Sequence, residues 1–262
     1  MSRLSRLSRS VSGRRVVITG AGSGMGRATA HLFADEGATV CLIDNNESVV
    51  TTGAEIVSVH GEDVVSAHVV DVTDDRALRS VIAGFGSLTG VVDALINNAG
   101  ISRPSPLGFD DESFDEAWDR TLAINLSAYV RAIRATLPFL RASDAGRIVN
   151  IASTEAIVAT PGISAYSASK AGVTGLTRSL AVELGPTGIT VNCICPGPIN
   201  TGMTAGIPDE AKNKYARRRV ALRRYADPEE VAHVTLSLCL PASSFVTGVS
   251  IPVDGGVTIR HT

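Results

Sequence analysis

Short apolar runs alternate with longer amphipathic stretches along this chain. Parallel strands covered on both faces have continuous apolar sequences, whereas helices carry apolar residues three and four positions apart. Runs of the first kind occupy 16–18, 39–43, 67–70, 91–96, 146–151 and 189–194. Helical stretches occupy 76–86, 111–141, 165–184 and 228–239. This alternation predicts an α/β domain built on a doubly wound parallel sheet.

Polar or glycine residues directly follow most of the predicted strands. Asp44 ends the second strand, Asp71 follows the third, and Ser153 lies just beyond the fifth. The fourth strand leads into 97–100, and the sixth leads into 195–197. Open sheets of this class bind ligands at the carboxyl ends of their strands. The pattern therefore predicts a single binding edge.

Four glycines, at positions 20, 22, 24 and 26, lie between the first strand and a stretch with helical apolar spacing. Glycine lets the backbone turn tightly and approach a pyrophosphate, and a helix N-terminus offers free N–H groups to phosphates. A glycine cluster alone also fits a plain tight turn. The order strand, glycine turn, helix favours a dinucleotide site.

Asp44 stands about 20 residues after the glycines, where an acidic residue can bind the adenosine ribose hydroxyls. Its carboxylate would repel a 2′-phosphate, which favours NAD over NADP. Arg14, Arg15 and Arg27 leave NADP open as an alternative. A helix N-cap or turn residue is the other interpretation of Asp44.

Tyr166 and Lys170 are four residues apart, so on a helix both side chains project from one face. A nearby ammonium favours the phenolate form of a tyrosine, whose reference pKa is about 10. With the hydroxyl of Ser153 upstream, the three side chains fit proton transfer to or from an alcohol. Alone, such a pair also fits a solvated helix face.

Composition narrows the class of protein. The 262 residues carry a net charge of −2, which indicates no general attraction to nucleic acid, and no apolar run is long enough to span a membrane. The four cysteines predict free thiols in a reducing, cytoplasmic compartment, and the histidines form no cluster with metal-ligand spacing.

Residues 1–12 are rich in serine and arginine; we expect a disordered tail, with a transit peptide as the alternative.

Together these motifs resemble the short-chain dehydrogenase/reductase family. The matching segments follow the family's order: 19–26, 71–72, 97–100, Asn125, Ser153, Tyr166 with Lys170, 196–197 with Thr201, and 253–256. The resemblance runs from about Gly13 to about Val257. It implies a single-domain Rossmann fold over 13–262 with seven parallel strands and helices on both faces, and a homotetramer.

The resemblance also implies a role for each matching residue. Tyr166 would be the general acid/base, Lys170 would lower its pKa and bind the nicotinamide ribose, and Ser153 would hold the substrate oxygen. Asn125 would anchor a water of the proton relay. The implied cofactor-binding set is Gly20, Ser23, Gly24, Met25, Gly26, Asp44, Asp71, Val72, Asn98, Ala99, Gly100, Tyr166, Lys170, Pro196, Gly197, Ile199 and Thr201. The implied reaction is hydride exchange between NAD(H) and a small secondary alcohol or its ketone.

The segment 201–225 lies where the family has its substrate lid, and it is rich in arginine and lysine. These cations could dock an anionic acyl carrier, or they could form a solvated helix face. The sequence therefore leaves a 3-oxoacyl-thioester reductase open beside steroid, terpene-alcohol or sugar dehydrogenases. A non-catalytic NAD-binding regulator and an epimerase or dehydratase are the alternatives from other classes.

Overall fold

Seven parallel strands form one sheet in the computed structural model, which describes residues 6–261. The strands are β1 (Arg15–Thr19), β2 (Thr39–Asp44), β3 (Val65–Val69), β4 (Ala94–Asn97), β5 (Arg147–Ile151), β6 (Thr190–Pro196) and β7 (Ser250–Val253). Their order across the sheet is β3-β2-β1-β4-β5-β6-β7. Successive strands are added outward from β1 on one side, through β2 to β3, and outward from β4 on the other, through β5 to β7. The boundary between β1 and β4 is the switch point at which such sheets bind dinucleotides.

Helices cover both faces of the sheet. They are α1 (Gly24–Asp35), α2 (Ser48–His60), α3 (Asp75–Ser87), α4 (Asp111–Leu122), α5 (Ala128–Leu140), α6 (Ser164–Leu184), α7 (Asp209–Arg219) and α8 (Pro228–Cys239). One core cluster packs α1, α2 and α8 against the sheet, and a second packs α3, α5 and α6. The predicted doubly wound Rossmann fold is confirmed.

The predicted helix over 111–141 is interrupted. A π-helical turn, Ala123–Ser127, separates α4 from α5 and contains Asn125. The apolar spacing continues through this turn, so periodicity gave no sign of it. Strand boundaries also shift: the fourth strand begins at Ala94, because β1 pairs with β4 only from Val16↔Ala94 onward.

Of the tail predicted over 1–12, the first five residues lie outside the described part of the chain, and residues further along contact the domain at two points. Val11 is buried in the same core cluster as Phe33 and Ala38. The carbonyl of Ser8 accepts a hydrogen bond from Ala242 N at 2.9 Å. Burial of one valine and pairing of the backbone therefore attach 8–12 to the domain. Within 6–261, no helix combines the length and apolar character needed to cross a bilayer.

Candidate active site

The turn between β1 and α1 is built so that only glycine fits at several positions. Gly20 has a φ of +68°, and a Cβ there would lie 2.7 Å from the Cα of Ala99. A Cβ on Gly26 would overlap the carbonyl oxygen of Gly20. The side chain of Asn98 closes the turn from β4, donating to the carbonyls of Thr19 at 3.1 Å and Gly20 at 2.9 Å. The result is a backbone cradle in front of the N-terminus of α1, which no side chain caps.

Asp44 faces this cradle from the end of β2. Its Oδ2 accepts a hydrogen bond from Gly22 N at 2.9 Å, and its Oδ1 accepts one from Asn46 N at 3.1 Å. A Cβ on Gly22 would lie 3.2 Å from the Asp44 carboxyl carbon. The carboxylate is thus fixed against the glycine turn, with part of its surface facing the cavity described below.

The three arginines that kept NADP as an alternative cofactor are bound to other side chains or to the backbone. Arg14 pairs with Asp93 at 2.9 Å and also with Asp144. Arg15 stacks 4.0 Å over the ring of Phe85 and donates to its carbonyl at 2.8 Å. Two nitrogens of Arg27 bind Glu55, at 2.9 and 2.7 Å. Each guanidinium is therefore held by a partner other than Asp44.

Asp71 is held in place at the end of β3. It accepts hydrogen bonds from Thr73 N at 2.8 Å and Thr73 Oγ1 at 2.7 Å, and it pairs with Arg120 at 2.8 Å. Burial acts to raise the Asp71 pKa, but these bonds and the guanidinium outweigh it and keep the pKa below its usual value. Its neighbour Val72 is buried and contributes an apolar wall to the same region.

Tyr166, Lys170 and Ser153 come together at the carboxyl end of β5. Tyr166 and Lys170 lie on successive turns of α6, and Ser153 lies just beyond β5. The Nζ of Lys170 donates to the carbonyl of Ile151 at 2.8 Å, and the hydroxyl of Tyr129 donates to the same oxygen at 3.1 Å. Lys170 is only 3% exposed.

Burial dominates the electrostatics of this group. Burial raises the pKa of the Tyr166 phenol, the Ser153 hydroxyl opposes that rise, and the Glu155 carboxylate adds to it. Burial lowers the pKa of Lys170 from 10.5 to about 8. The Nζ of Lys170 donates to the Ile151 carbonyl and lies 5.8 Å from the centre of the Tyr166 ring. The Tyr166 pKa thus lies above its usual value here, and the lowering by Lys170 that the family resemblance implies stays a prediction.

Asn125 lies behind the cavity, fully buried in the π-helical turn. Its Oδ1 accepts from Ile101 N and its Nδ2 donates to Ile101 O, both at 2.9 Å. The same Nδ2 donates to Ser169 Oγ at 3.0 Å. A π-turn inside an α-helix often marks a functional site. Asn125 thus joins the loop after β4 to α6, the helix that carries Tyr166 and Lys170.

One cavity of about 470 Å³ collects most of the predicted site. Of the predicted residues, those that line it are Gly20, Ser23, Gly24, Met25, Asp44, Asp71, Val72, Asn98, Ala99, Gly100, Ser153, Tyr166, Lys170, Pro196, Gly197, Ile199 and Thr201. Gly26 and Asn125 support the cavity from behind without lining it. The predicted cofactor-binding and catalytic set does not contain the lining residues Asn45, Asn46, Ser48, Ile101, Ile124, Ile151, Ala152, Gly202, Met203 and Thr204, of which the last three belong to the segment predicted as a lid. Most of these are apolar or contribute backbone, so residue type gave no signal.

Most of the arginine side chains in the predicted lid segment 201–225 are exposed to solvent. Arg217, Arg218 and Arg219 are exposed on α7, and Arg224 is held by Glu230 through two contacts of 2.6 Å. Glu155 lies near Tyr166, but its carboxylate is occupied by Thr160 at 2.7 and 2.9 Å. In the described residues, no three His, Cys, Asp or Glu side chains are grouped so as to hold a metal ion.

Comparison with known proteins agrees with this geometry. A family model described as enoyl-(acyl carrier protein) reductase matches residues 20–258. A 3-oxoacyl-[acyl-carrier-protein] reductase from Thermotoga maritima is 39% identical over 94% of this chain and 98% of its own. A meso-2,3-butanediol dehydrogenase from Serratia marcescens is 37% identical over 93% of this chain and 94% of its own.

The fold comparison leads to the same group of enzymes. The crystal structure of levodione reductase superimposes with a TM-score of 0.88 at 33% identity, covering 95% of this chain and 99% of that chain. These matches extend over nearly the whole domain and include the glycine turn, the sheet edge and α6. The chain therefore belongs to the short-chain dehydrogenase/reductase family of NAD(P)-dependent oxidoreductases.

Proposed function

We propose that this protein interconverts a secondary alcohol and its ketone with NAD(H) as the hydride carrier. The observation that supports this most directly is one shared cavity. Tyr166, Lys170 and Ser153 line one part of it, and the glycine cradle and Asp44 line another. A proton-transfer group and a dinucleotide site in one cavity are what hydride exchange requires.

The residues present fit a dinucleotide. At Gly20 and Gly22 a Cβ would clash with Ala99 and Ser48, so glycine is what lets the backbone take this tight turn, as a pyrophosphate-binding turn requires. The uncapped N-terminus of α1 would face the phosphates with its free N–H groups and the positive end of its dipole. Thr201, Ile199 and Gly100 line the other part of the cavity and would hold the nicotinamide end.

Asp44 supports NAD rather than NADP. Its carboxylate would accept hydrogen bonds from the ribose hydroxyls, and it would repel a phosphate at the same place. Arg14, Arg15 and Arg27 would have to leave their existing partners to neutralise that phosphate. The charge distribution at this end of the cavity therefore favours the cofactor without the 2′-phosphate.

The proton is handled by the chain's own side chains. When bound, the cofactor accepts or supplies the hydride. The Ser153 hydroxyl would donate a hydrogen bond to the substrate oxygen, and Tyr166 would take the alcohol proton or return it to the ketone oxygen. Lys170 would supply a positive charge close to the phenol and a donor to the ribose.

Asn125 would support the proton relay that exchanges protons between Tyr166 and solvent. Its side chain is fully committed to Ile101 and Ser169, so it would act by fixing the backbone of the π-turn, where a water would be anchored. The lid over 201–225 would close on the substrate from above, since Met203 and Thr204 line the cavity.

Steady-state turnover tests this proposal. A panel of secondary alcohols and ketones, spanning steroids, terpenoids, sugars and acyl-thioesters, would be assayed with NAD(H) and with NADP(H). We expect turnover on at least one class and a higher kcat/KM with NAD(H). Turnover with NADP(H) alone would contradict the cofactor assignment. Tight NADH binding without turnover across the panel would favour the regulator alternative.

Reduction of a 3-oxoacyl thioester is a second candidate. It is supported by the similarity to the Thermotoga maritima reductase and by the exposed arginines of α7, which could bind an anionic carrier. Replacing Arg217 and Arg218 together with alanine should then raise KM for an acyl-carrier thioester and leave KM for a short free ketone unchanged. An unchanged KM for both substrates would argue against carrier docking.

A further inference from the structure

A row of polar side chains crosses the buried sheet beneath the catalytic helix. Asn97 on β4, Asn150 on β5, Cys193 on β6 and Ser250 on β7 are successive partners in the strand register. The first three are fully buried. Four aligned polar residues inside a parallel sheet are unexpected, because buried strands of this kind are normally apolar throughout.

Hydrogen bonds join the row in two pairs and extend one of the pairs to α6. Asn97 Nδ2 donates to Asn150 Oδ1 at 2.9 Å, and Asn150 Nδ2 donates to Thr177 Oγ1 at 3.0 Å. Cys193 Sγ donates to Ser250 Oγ at 3.1 Å. Because Asn97 occupies the oxygen of Asn150, the amide nitrogen of Asn150 is directed at α6. Thr177 is the residue of α6 that receives it, and it is fully buried.

Thr177 lies on the same face of α6 as the catalytic pair. Lys170 precedes it by seven residues and Tyr166 by eleven, which is close to two and three turns of a helix. Lys170 contacts β5 through the carbonyl of Ile151, the residue after Asn150. The helix is therefore tied to one strand at two adjacent residues, once at its catalytic turn and once two turns further on.

An apolar pair at Asn150 and Thr177 would pack the same space without needing polar partners. The row also keeps a polar atom without a partner: the buried Asn97 Oδ1 has none among the described residues. Buried polar groups of this kind oppose stability unless satisfied, and their best-attested use is to fix the register between elements.

We propose that Thr177 is a positioning residue for Tyr166 and Lys170, since its bond from Asn150 fixes the rotation and axial position of α6 over β5. The inference rests on the proposed proton-transfer role of Tyr166. Small displacements of reacting groups reduce rates strongly, so a helix that rotates or slides would lower kcat more than it alters binding.

Three variants test it. Thr177→Val keeps the volume and removes the hydroxyl, Thr177→Ser keeps the hydroxyl, and Thr235→Val is the matched control. Thr235 is also fully buried in a helix, but its hydroxyl donates to Val231 O of its own helix, α8, at 3.0 Å. For each variant, kcat, KM, the NADH Kd and Tm are measured.

We expect Thr177→Val to lower kcat at least tenfold, with KM and the NADH Kd within threefold of wild type. Thr177→Ser should restore kcat to within threefold, and Thr235→Val should leave kcat within twofold whatever its Tm. The proposal is overturned if Thr177→Val retains wild-type kcat, if serine does not rescue it, or if Thr235→Val loses kcat equally.

A second readout needs no substrate. Hydrogen exchange measured by mass spectrometry should be faster over 164–177 in Thr177→Val and unchanged there in Thr235→Val. Should wild type show no turnover on any substrate, the proposed function fails, while this readout still decides the positioning claim. Equal protection of 164–177 in wild type and Thr177→Val would overturn it.

Discussion

At the residue scale, the properties of the site depend on which oppositely charged or hydrogen-bonding group each charged side chain contacts. The sequence predicted Asp44, Tyr166 and Lys170 as members of one site from their spacing relative to strand ends and helix turns, and the three residues line one cavity. It could not indicate that Arg14 pairs with Asp93, because 79 positions separate them. Asn125 was found only through family resemblance, since an asparagine in a helical stretch has no distinguishing local pattern.

Cofactor choice should follow Asp44. Replacing it with serine removes a negative charge that would repel a 2′-phosphate by about 1–4 kcal/mol at contact distance. We expect kcat/KM with NADP(H), relative to NAD(H), to rise about tenfold or more. Arg27→Ala is the control, because that guanidinium is bound to Glu55 and its loss should leave the ratio unchanged. If Asp44→Ser leaves the ratio of kcat/KM with NADP(H) to kcat/KM with NAD(H) unchanged, this carboxylate does not contact the adenosine ribose.

The buried Lys170 should make stability depend on pH. Folding lowers its pKa to about 8, so between about pH 8 and pH 10.4 the unfolded chain binds more protons than the folded chain. The cost of burying the ammonium is present in full below this window and is relieved as the pH rises. Lys170→Met has no such group, and the Ile151 carbonyl keeps its bond from Tyr129.

The measurement is the difference in unfolding free energy between wild type and Lys170→Met in denaturant titrations across that window. Wild type should gain about 3 kcal/mol relative to the variant from the bottom to the top of the window. Other groups titrate alike in both proteins and cancel. Parallel curves would mean that Lys170 has an ordinary pKa in the folded state.

At the scale of elements, periodicity predicted where strands and helices lie but not where they change character. The π-turn at Ala123–Ser127 follows the same apolar spacing as the helices on either side, so only tertiary contacts distinguish it. The end of β6 at Pro196 depends on pairing with Val253 in β7, which no local pattern specifies. The glycine turn was predictable because its residue type is dictated by backbone geometry.

Two glycine-to-alanine substitutions distinguish the steric requirement of the glycine turn from the general effect of alanine on helix stability. Gly26→Ala would place a Cβ against the Gly20 carbonyl and should cost about 1–3 kcal/mol of stability, with weaker NADH binding. Gly84→Ala is the control: it is exposed in α3, with nothing within 4 Å of the added Cβ. It should gain about 1 kcal/mol and leave NADH binding unchanged. Thermal unfolding and fluorescence titration give both quantities, and unchanged NADH affinity in Gly26→Ala would contradict the cradle.

At the scale of the whole molecule, one domain contains both halves of the proposed reaction. The family resemblance predicts a homotetramer, with the segment around β7 at a subunit contact. Phe245, just before β7, is fully exposed in the single chain, and Ile259 beyond it is largely exposed. Large apolar side chains exposed in this way often mark interaction surfaces.

Light scattering tests the assembly. Wild type should have the mass of four chains at working concentration, and Phe245→Asp should shift the population toward smaller species while its circular dichroism stays unchanged. Leu88→Asp, at an exposed position near the end of α3, is the control and should remain tetrameric. A monomeric wild type would rule out the predicted assembly.

In the proposed reaction, Tyr166 transfers the proton while the glycine turn after β1 holds the cofactor. The most direct measurement compares wild type with Tyr166→Phe for kcat on the best substrate and for the NADH Kd. We expect kcat to fall by about 100-fold or more, the range expected for loss of an acid/base group, while the Kd changes little. A variant that keeps wild-type turnover would show that another group moves the proton.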